Sequence, residues 1–236
     1  ANRVADENIY LNENRYKKPK EVHKRIIDLI EKFIDKDHKS ILDCATATGE
    51  LILFLKRIYP DKKFLGFDIS ESMIEKAKEK VPNAEFFVQD IQKNYKDWLK
   101  KPKSNVVIAS GILCIFDNYR AVLDNILSCA SNKGIIIIRT IVNPDPIDVV
   151  MRYRRSNNNE WESGWNILSK ETLENYLKEK DYIKSFEWDD YQLPIKMEKN
   201  ISDPMRAHTK KIDGENILVN GACQILNQTN LIIKFK

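Results

Sequence analysis

Between residues 39 and 91 a short apolar run stops at an aspartate three times, and each time a loop or helix follows. Ile41 and Leu42 precede Asp43, residues 63–67 precede Asp68, and residues 84–88 precede Asp90. Runs this short, rich in Ile, Phe and Val, read as buried strands. Between them, residues 51–59 are almost wholly apolar and end at Pro60, while Ile74, Ala77 and Val81 recur at helical spacing before Pro82. Residues 106–109 continue as a fourth strand, 119–130 as a helix closed by the turn SNKG, and 134–142 as a fifth strand. An amphipathic helix leads in from Pro19, with Val22, Ile26, Leu29, Ile30 and Phe33 on one side. Strand–helix alternation of this kind means parallel strands joined by right-handed crossovers and covered on both faces. The expected fold is therefore α/β and doubly wound, with a mostly parallel seven-stranded sheet.

The last third changes character. Residues 145–153 and 170–180 read as helices, and 183–188 and 231–235 as strands. Residues 193–220 read as irregular, and a loop of that length is expected to serve a binding surface as a partial lid. One domain over 1–236 follows, with a helical cap at 1–38, a ligand-binding core at 39–142 and an acceptor side at 143–236. Apolar residues make up 42% of the chain, enough for one core of ordinary size. No apolar stretch approaches a membrane span or a signal peptide. The four cysteines lack CxxC spacing and only three histidines occur, so no metal site is expected and a reduced, cytoplasmic setting fits. The net charge of +4 is spread along the chain. Its densest basic cluster, from Arg15 to Arg25, reads as a solvated helix start, and a nucleic-acid footprint is the competing reading.

In a doubly wound sheet the ligand sits beyond the carboxyl ends of the strands, where strand order reverses. Asp43, Asp68 and Asp90 fall at that edge; each taken singly could equally be a helix cap. Asp68, closing the second strand, is placed to accept both hydroxyls of an adenosine ribose. The first loop, DCATATGE, has no GxGxxG, and Asp43 and Glu50 would repel a pyrophosphate. A nucleoside with a cationic centre and an amino group fits better than a dinucleotide.

From residue 39 to 142 the chain resembles the class I S-adenosylmethionine-dependent methyltransferases. The resemblance lies in four ordered motifs, ILDCATATGELILFL, FLGFDISESMIEKAKEK, AEFFVQDIQ and NVVIASGILCIFDN. It implies a Rossmann-like methyltransferase fold and S-adenosylmethionine as cofactor. Asp43, Ala45 and Gly49 would shape the loop under the methionine part, and Asp68 would bind the ribose. Ile69 and Met73 would pack on adenine, Asp90 and Ile91 would touch its edge, and the Ala109 carbonyl would take the methionine amino group. Ala45 and Ala47 stand where the family has glycine, so the backbone there is expected to avoid positive φ. Asp117 and Asn118 read as the cap of the next helix. Cys114 and Ile115 stand where many members carry histidine, which removes the obvious base.

The nucleic-acid amino-methylation motif and the acidic hairpin of arginine methyltransferases are absent, so an oxygen on a small molecule is the favoured acceptor. An anionic oxygen needs no base. Acceptor contacts are expected from Tyr10, Arg15 and Tyr16, from Arg152, Arg154 and Arg155 with Trp161 and Trp165, and from Arg206; His208 is the candidate base or phosphate ligand. The run from Asn216 to Lys236 is similar to small bacterial methyltransferases that decorate sugars and capsule precursors, and O-methylation of a phosphoramidate is the narrower expectation. The competing readings are a catalytically silent cofactor-fold subunit and an RNA methyltransferase.

Overall fold

The computed structural model describes residues 7–12, 16–93 and 103–236. Two helices come first, α1 (Glu7–Asn12) and α2 (Glu21–Phe33). Then β1 (Ser40–Cys44), α3 (Glu50–Ile58), β2 (Lys63–Asp68), α4 (Glu71–Lys80), β3 (Glu85–Val88), β4 (Ser104–Ser110), α5 (Tyr119–Ser128) and β5 (Ala130–Asn143) alternate as the sequence predicts. Short strands β6 (Arg152–Tyr153), β7 (Glu162–Ser163) and β8 (Leu168–Ser169) precede α6 (Lys170–Lys178) and β9 (Ile183–Asp190). The chain ends through β10 (His208–Ile212), β11 (Glu215–Val219) and β12 (Gln228–Phe235). Side chains start three of the helices: Ser70, Asn118 and Ser169 accept from the backbone N–H of Met73, Ala121 and Thr172.

The main sheet runs β3-β2-β1-β4-β5-β12-β9, with β8 extending the end of β5. The strands from β3 to β5 are parallel, and β12 is antiparallel to both its neighbours. Strand order reverses between β1 and β4. Because side chains alternate across each strand, Ile41, Ile108 and Ile137 bury one face under α2, α3 and α4, while Leu42, Val107 and Ile138 bury the other under α5 and α6. This is the doubly wound, mostly parallel sheet expected from the alternation. Among the described residues no helix is long and apolar enough to cross a membrane.

Three local expectations are corrected. Residues 145–153 form no helix: the chain bends at 144–146, where Pro146 lacks the N–H and disfavours a helical conformation in Asp145. Val149 instead bridges Ile167, and β6 pairs with β7. The SNKG segment is a bulge inside β5, where the register against β4 jumps and Lys133 takes φ 60°. The stretch 193–220 is only partly irregular, because it contains the β10–β11 hairpin turned by Asp213 and Gly214, both at positive φ.

Candidate functional site

A cavity of about 590 Å³ opens at the carboxyl ends of the parallel strands. Asp43, Asp68 and Asp90 all line it. Asp43 is the penultimate residue of β1 and 4% exposed, Asp68 closes β2, and Asp90 follows β3 by two residues. Asp68 Oδ2 accepts from Ala47 N at 3.0 Å and Oδ1 from Ser70 N at 3.1 Å. Asp90 Oδ1 accepts from Gln92 N at 2.9 Å. Burial pushes the Asp43 carboxyl up to about 7; the Thr46 hydroxyl, donating at 2.8 Å, opposes the rise, and the charges of Glu50 and Asp68 add to it.

The loop from β1 to α3 turns on three left-handed residues, Ala45 at φ 56°, Ala47 at φ 49° and Gly49 at φ 76°. The expectation that alanine keeps the backbone out of positive φ is thus corrected. The conformation is held by Thr46 N donating to Phe67 O, Ala47 N to Asp68 and Gly49 N to Thr46 O. A left-handed alanine costs about 1–2 kcal/mol, partly offset in glycine by chain entropy. Ala45→Gly and Ala47→Gly should therefore each raise stability by about 0.5–1 kcal/mol, seen as a higher urea midpoint. A lower midpoint in both would show that the loop carries no such strain.

Ala45, Ile69, Met73 and Ile91 also line the cavity, and Ile69 is 56% exposed. Gly49 stands behind the wall, where a Cβ would meet Ala77 and Phe86 at 3.1 Å. Ala109 is wholly buried within the sheet, and its successors Ser110 and Gly111 face the cavity instead. Tyr10 lines the cavity, with the Lys20 ammonium 5.4 Å from its ring centre; Lys20 in turn pairs with buried Glu50 at 2.8 Å. Tyr16 lies off the wall and braces the loop by donating to Thr48 O at 3.0 Å. Arg15 falls outside the described residues.

The remaining expected acceptor contacts point elsewhere. Arg152 pairs with Asp117, Arg154 covers Trp161, Arg155 pairs with Asp203 at 3.2 Å, and Arg206 faces the same Asp203 at 3.4 Å. His208 opens β10 with Nδ1 3.3 Å from Arg206 O, away from the cavity. Arg155 ties the β6–β7 hairpin to the insertion and Arg152 ties it to the segment after β4, while none of Arg152, Arg154, Arg155, Arg206 and His208 is among the residues lining the cavity. Two residues outside the expected set also line it. His23 of α2 is 7% exposed, and Arg139 stands within β5. Trp165 and the insertion residues Leu193, Ile195, Met197 and Leu218 complete an apolar side.

Demethylmenaquinone methyltransferase of Thermotoga maritima is 28% identical over 122 residues, which is 52% of this chain and 51% of that protein. Trans-aconitate 2-methyltransferase of Yersinia pseudotuberculosis is 24% identical over 121 residues, 51% of this chain and 44% of the relative. The chain spans about half the length of the curated relatives it matches. Among solved structures, the plantazolicin methyltransferase BamL, in complex with a triazolic desmethylPZN analog and SAH, shares the fold with a TM-score of 0.57. The identity is 16% over 91% of this chain and 84% of that one. The DhpI–SAH complex gives a TM-score of 0.56 at 12% identity, over 98% of this chain and 92% of that one. The family of methyltransferase domains matches residues 35–195, more than half of the sequence, and the chain belongs to that family.

Proposed function

We propose that the protein binds S-adenosylmethionine and transfers its methyl group to an oxygen of a small anionic or sugar-linked acceptor. One observation carries the reading: carboxylates from three successive parallel strands open into a single cavity whose first loop lacks a dinucleotide fingerprint. The donor set suits that cofactor. Asp68 would accept the ribose hydroxyls, Ile69 and Met73 would cover the adenine, and Asp90 and Ile91 would meet its edge. The loop from Ala45 to Gly49 and the carboxyl of Asp43 would face the methionine part. Its amino group would meet Ser110 and Gly111 rather than Ala109, which the sheet encloses.

When bound, the cofactor supplies a methyl carbon already activated for displacement by its positive sulfur. The chain's share is then to hold the acceptor oxygen in line and exclude water. Apolar Cys114, Phe116, Trp165 and Leu226 supply the dry side of the cavity. An anionic oxygen would need no base, and for a neutral hydroxyl the histidine in reach would be His23 rather than His208. The trans-aconitate methyltransferases among the relatives are named for an anionic acceptor, and a phosphoramidate on a capsule precursor is of the same class.

Calorimetry tests the reading. S-adenosylhomocysteine and S-adenosylmethionine are expected to bind and NAD is not; tight NAD binding without either adenosyl compound would overturn it.

A further inference from the structure

Among the described residues, Arg139 is the cavity-lining cation that no carboxylate pairs with. The register pairs Asp43 with Ile108 and Ile108 with Ile137, so Arg139, two residues beyond Ile137, shares their face of the sheet. Lys20, the other strong cation on the wall, is already paired with Glu50. Arg139 has five N–H donors and, among the described residues, one hydrogen bond, from Nη2 to Gln228 Oε1. Gln228 is itself aimed by donating to Leu226 O at 3.3 Å. The Arg139 Nε is buried with no partner, and no carboxylate among the described residues pairs with the guanidinium. Gly111 leaves the space it occupies: a Cβ there would sit 2.9 Å from Nη1.

A guanidinium held this way is costly unless something negative joins it. Its register neighbours Ser110 and Asn230 are polar but uncharged, and the apolar Cys114, Ile141 and Leu226 line the same cavity. The positive charge of Arg139 reaches Cys114, where it opposes the rise that burial imposes on the thiol. The cavity therefore has an acidic end at Asp43, Asp68 and Asp90 and a single strong unpaired positive charge at the other, among the described residues.

We propose that Arg139 receives a compact oxyanion of the acceptor, a carboxylate or a phosphate, in the apolar end of the cavity. The inference rests on the methyl-transfer reading only for calling that ligand the acceptor; the anion site itself stands on Arg139 and its surroundings. A planar fork suits both oxyanions, which a lysine at this position would hold only as a point charge.

The test is calorimetry with citrate and with inorganic phosphate as probes, each titrated into the protein alone and into its complex with S-adenosylhomocysteine. Wild type is expected to bind at least one probe, and the better of the two distinguishes a carboxylate site from a phosphate site. Arg139→Gln should weaken that probe by about 10- to 100-fold and Arg139→Lys by less, in line with loss of a charge-assisted pair. S-adenosylhomocysteine affinity should stay within about threefold in both variants, which also reports that they fold. Probe binding equal in wild type and Arg139→Gln, or no probe binding to a wild type that binds S-adenosylhomocysteine, would overturn the proposal and leave Arg139 a bridge from β5 to Gln228. Arg139-dependent probe binding by a wild type that ignores S-adenosylhomocysteine would support the anion site and sink the methyl-transfer reading instead.

Discussion

Asp68→Ala is expected to remove measurable S-adenosylhomocysteine binding while the protein still folds. Asp68 accepts from Ala47 N and Ser70 N and lines the cavity, where its charged carboxylate would also take the ribose hydroxyls. Two hydrogen bonds to a charged acceptor are worth about 1.5–3 kcal/mol apiece, so affinity should fall by about 100-fold or more. The substitution also frees Ala47 N, one of the anchors of a loop that turns on two left-handed alanines. Loosening of that loop adds to the loss. Asp68→Asn, which keeps the shape and one acceptor oxygen, should fall between the two. Titration calorimetry reads the affinities, and circular dichroism reports the fold. An Asp68→Ala protein within about tenfold of wild type would mean that the ribose is held elsewhere.

The second large effect concerns acidity. The Asp43 carboxyl titrates at about 7 in the folded chain, against roughly 3.9 when unfolded. Its raised value means that the folded state prefers the protonated form. The stability it contributes is fully present below about pH 4 and is lost as pH rises through about 7. For the ligand-free protein the loss amounts to about 3–4 kcal/mol by pH 8. Asp43→Asn removes the titration and can still accept from Thr46. Urea midpoints of the variant should therefore exceed those of wild type at pH 8 and converge with them near pH 4. Parallel profiles would show that Asp43 ionises normally. A cationic ligand reverses the preference, so binding of S-adenosylmethionine near pH 6.5 should release protons, read as a binding enthalpy that varies with the buffer's ionisation heat.

The strand-end acids were legible because a buried parallel strand leaves few choices of where a carboxylate can stand. Asp43, Asp68 and Asp90 could be placed at one edge of the sheet from the alternation alone. Left-handed alanines were not legible, since propensity argues against them and it takes the hydrogen bonds of Thr46, Ala47 and Gly49, with Tyr16 bracing Thr48, to hold them there. His23 was within reach: it stands three and seven residues before Ile26 and Ile30, on the apolar side of α2. Arg139 was too, as a lone cation inside GIIIIRTIV, where a charge within an otherwise buried apolar strand asks for a partner. The arginines from 152 to 155 misled because exposed cations near Trp161 and Trp165 look like an acceptor site, whereas their carboxylate partners Asp117 and Asp203 lie far away in sequence. The hairpin at Asp213 and Gly214 carried the usual two-residue signal, DG, inside a segment otherwise read as loop.

Residues 191–227 leave the sheet and return to it on the same rung, since Asp190 pairs with Thr229 and Tyr191 N donates to Gln228 O at 3.2 Å. A segment whose two ends already touch can be exchanged for one of different length with little penalty, about 0.6 kcal/mol for each doubling. Evolution could thus retailor the roof over the apolar end by swapping this cassette while the acid-lined floor stays as it is. Chimeras that trade it between homologues should keep one partner molecule and change the other.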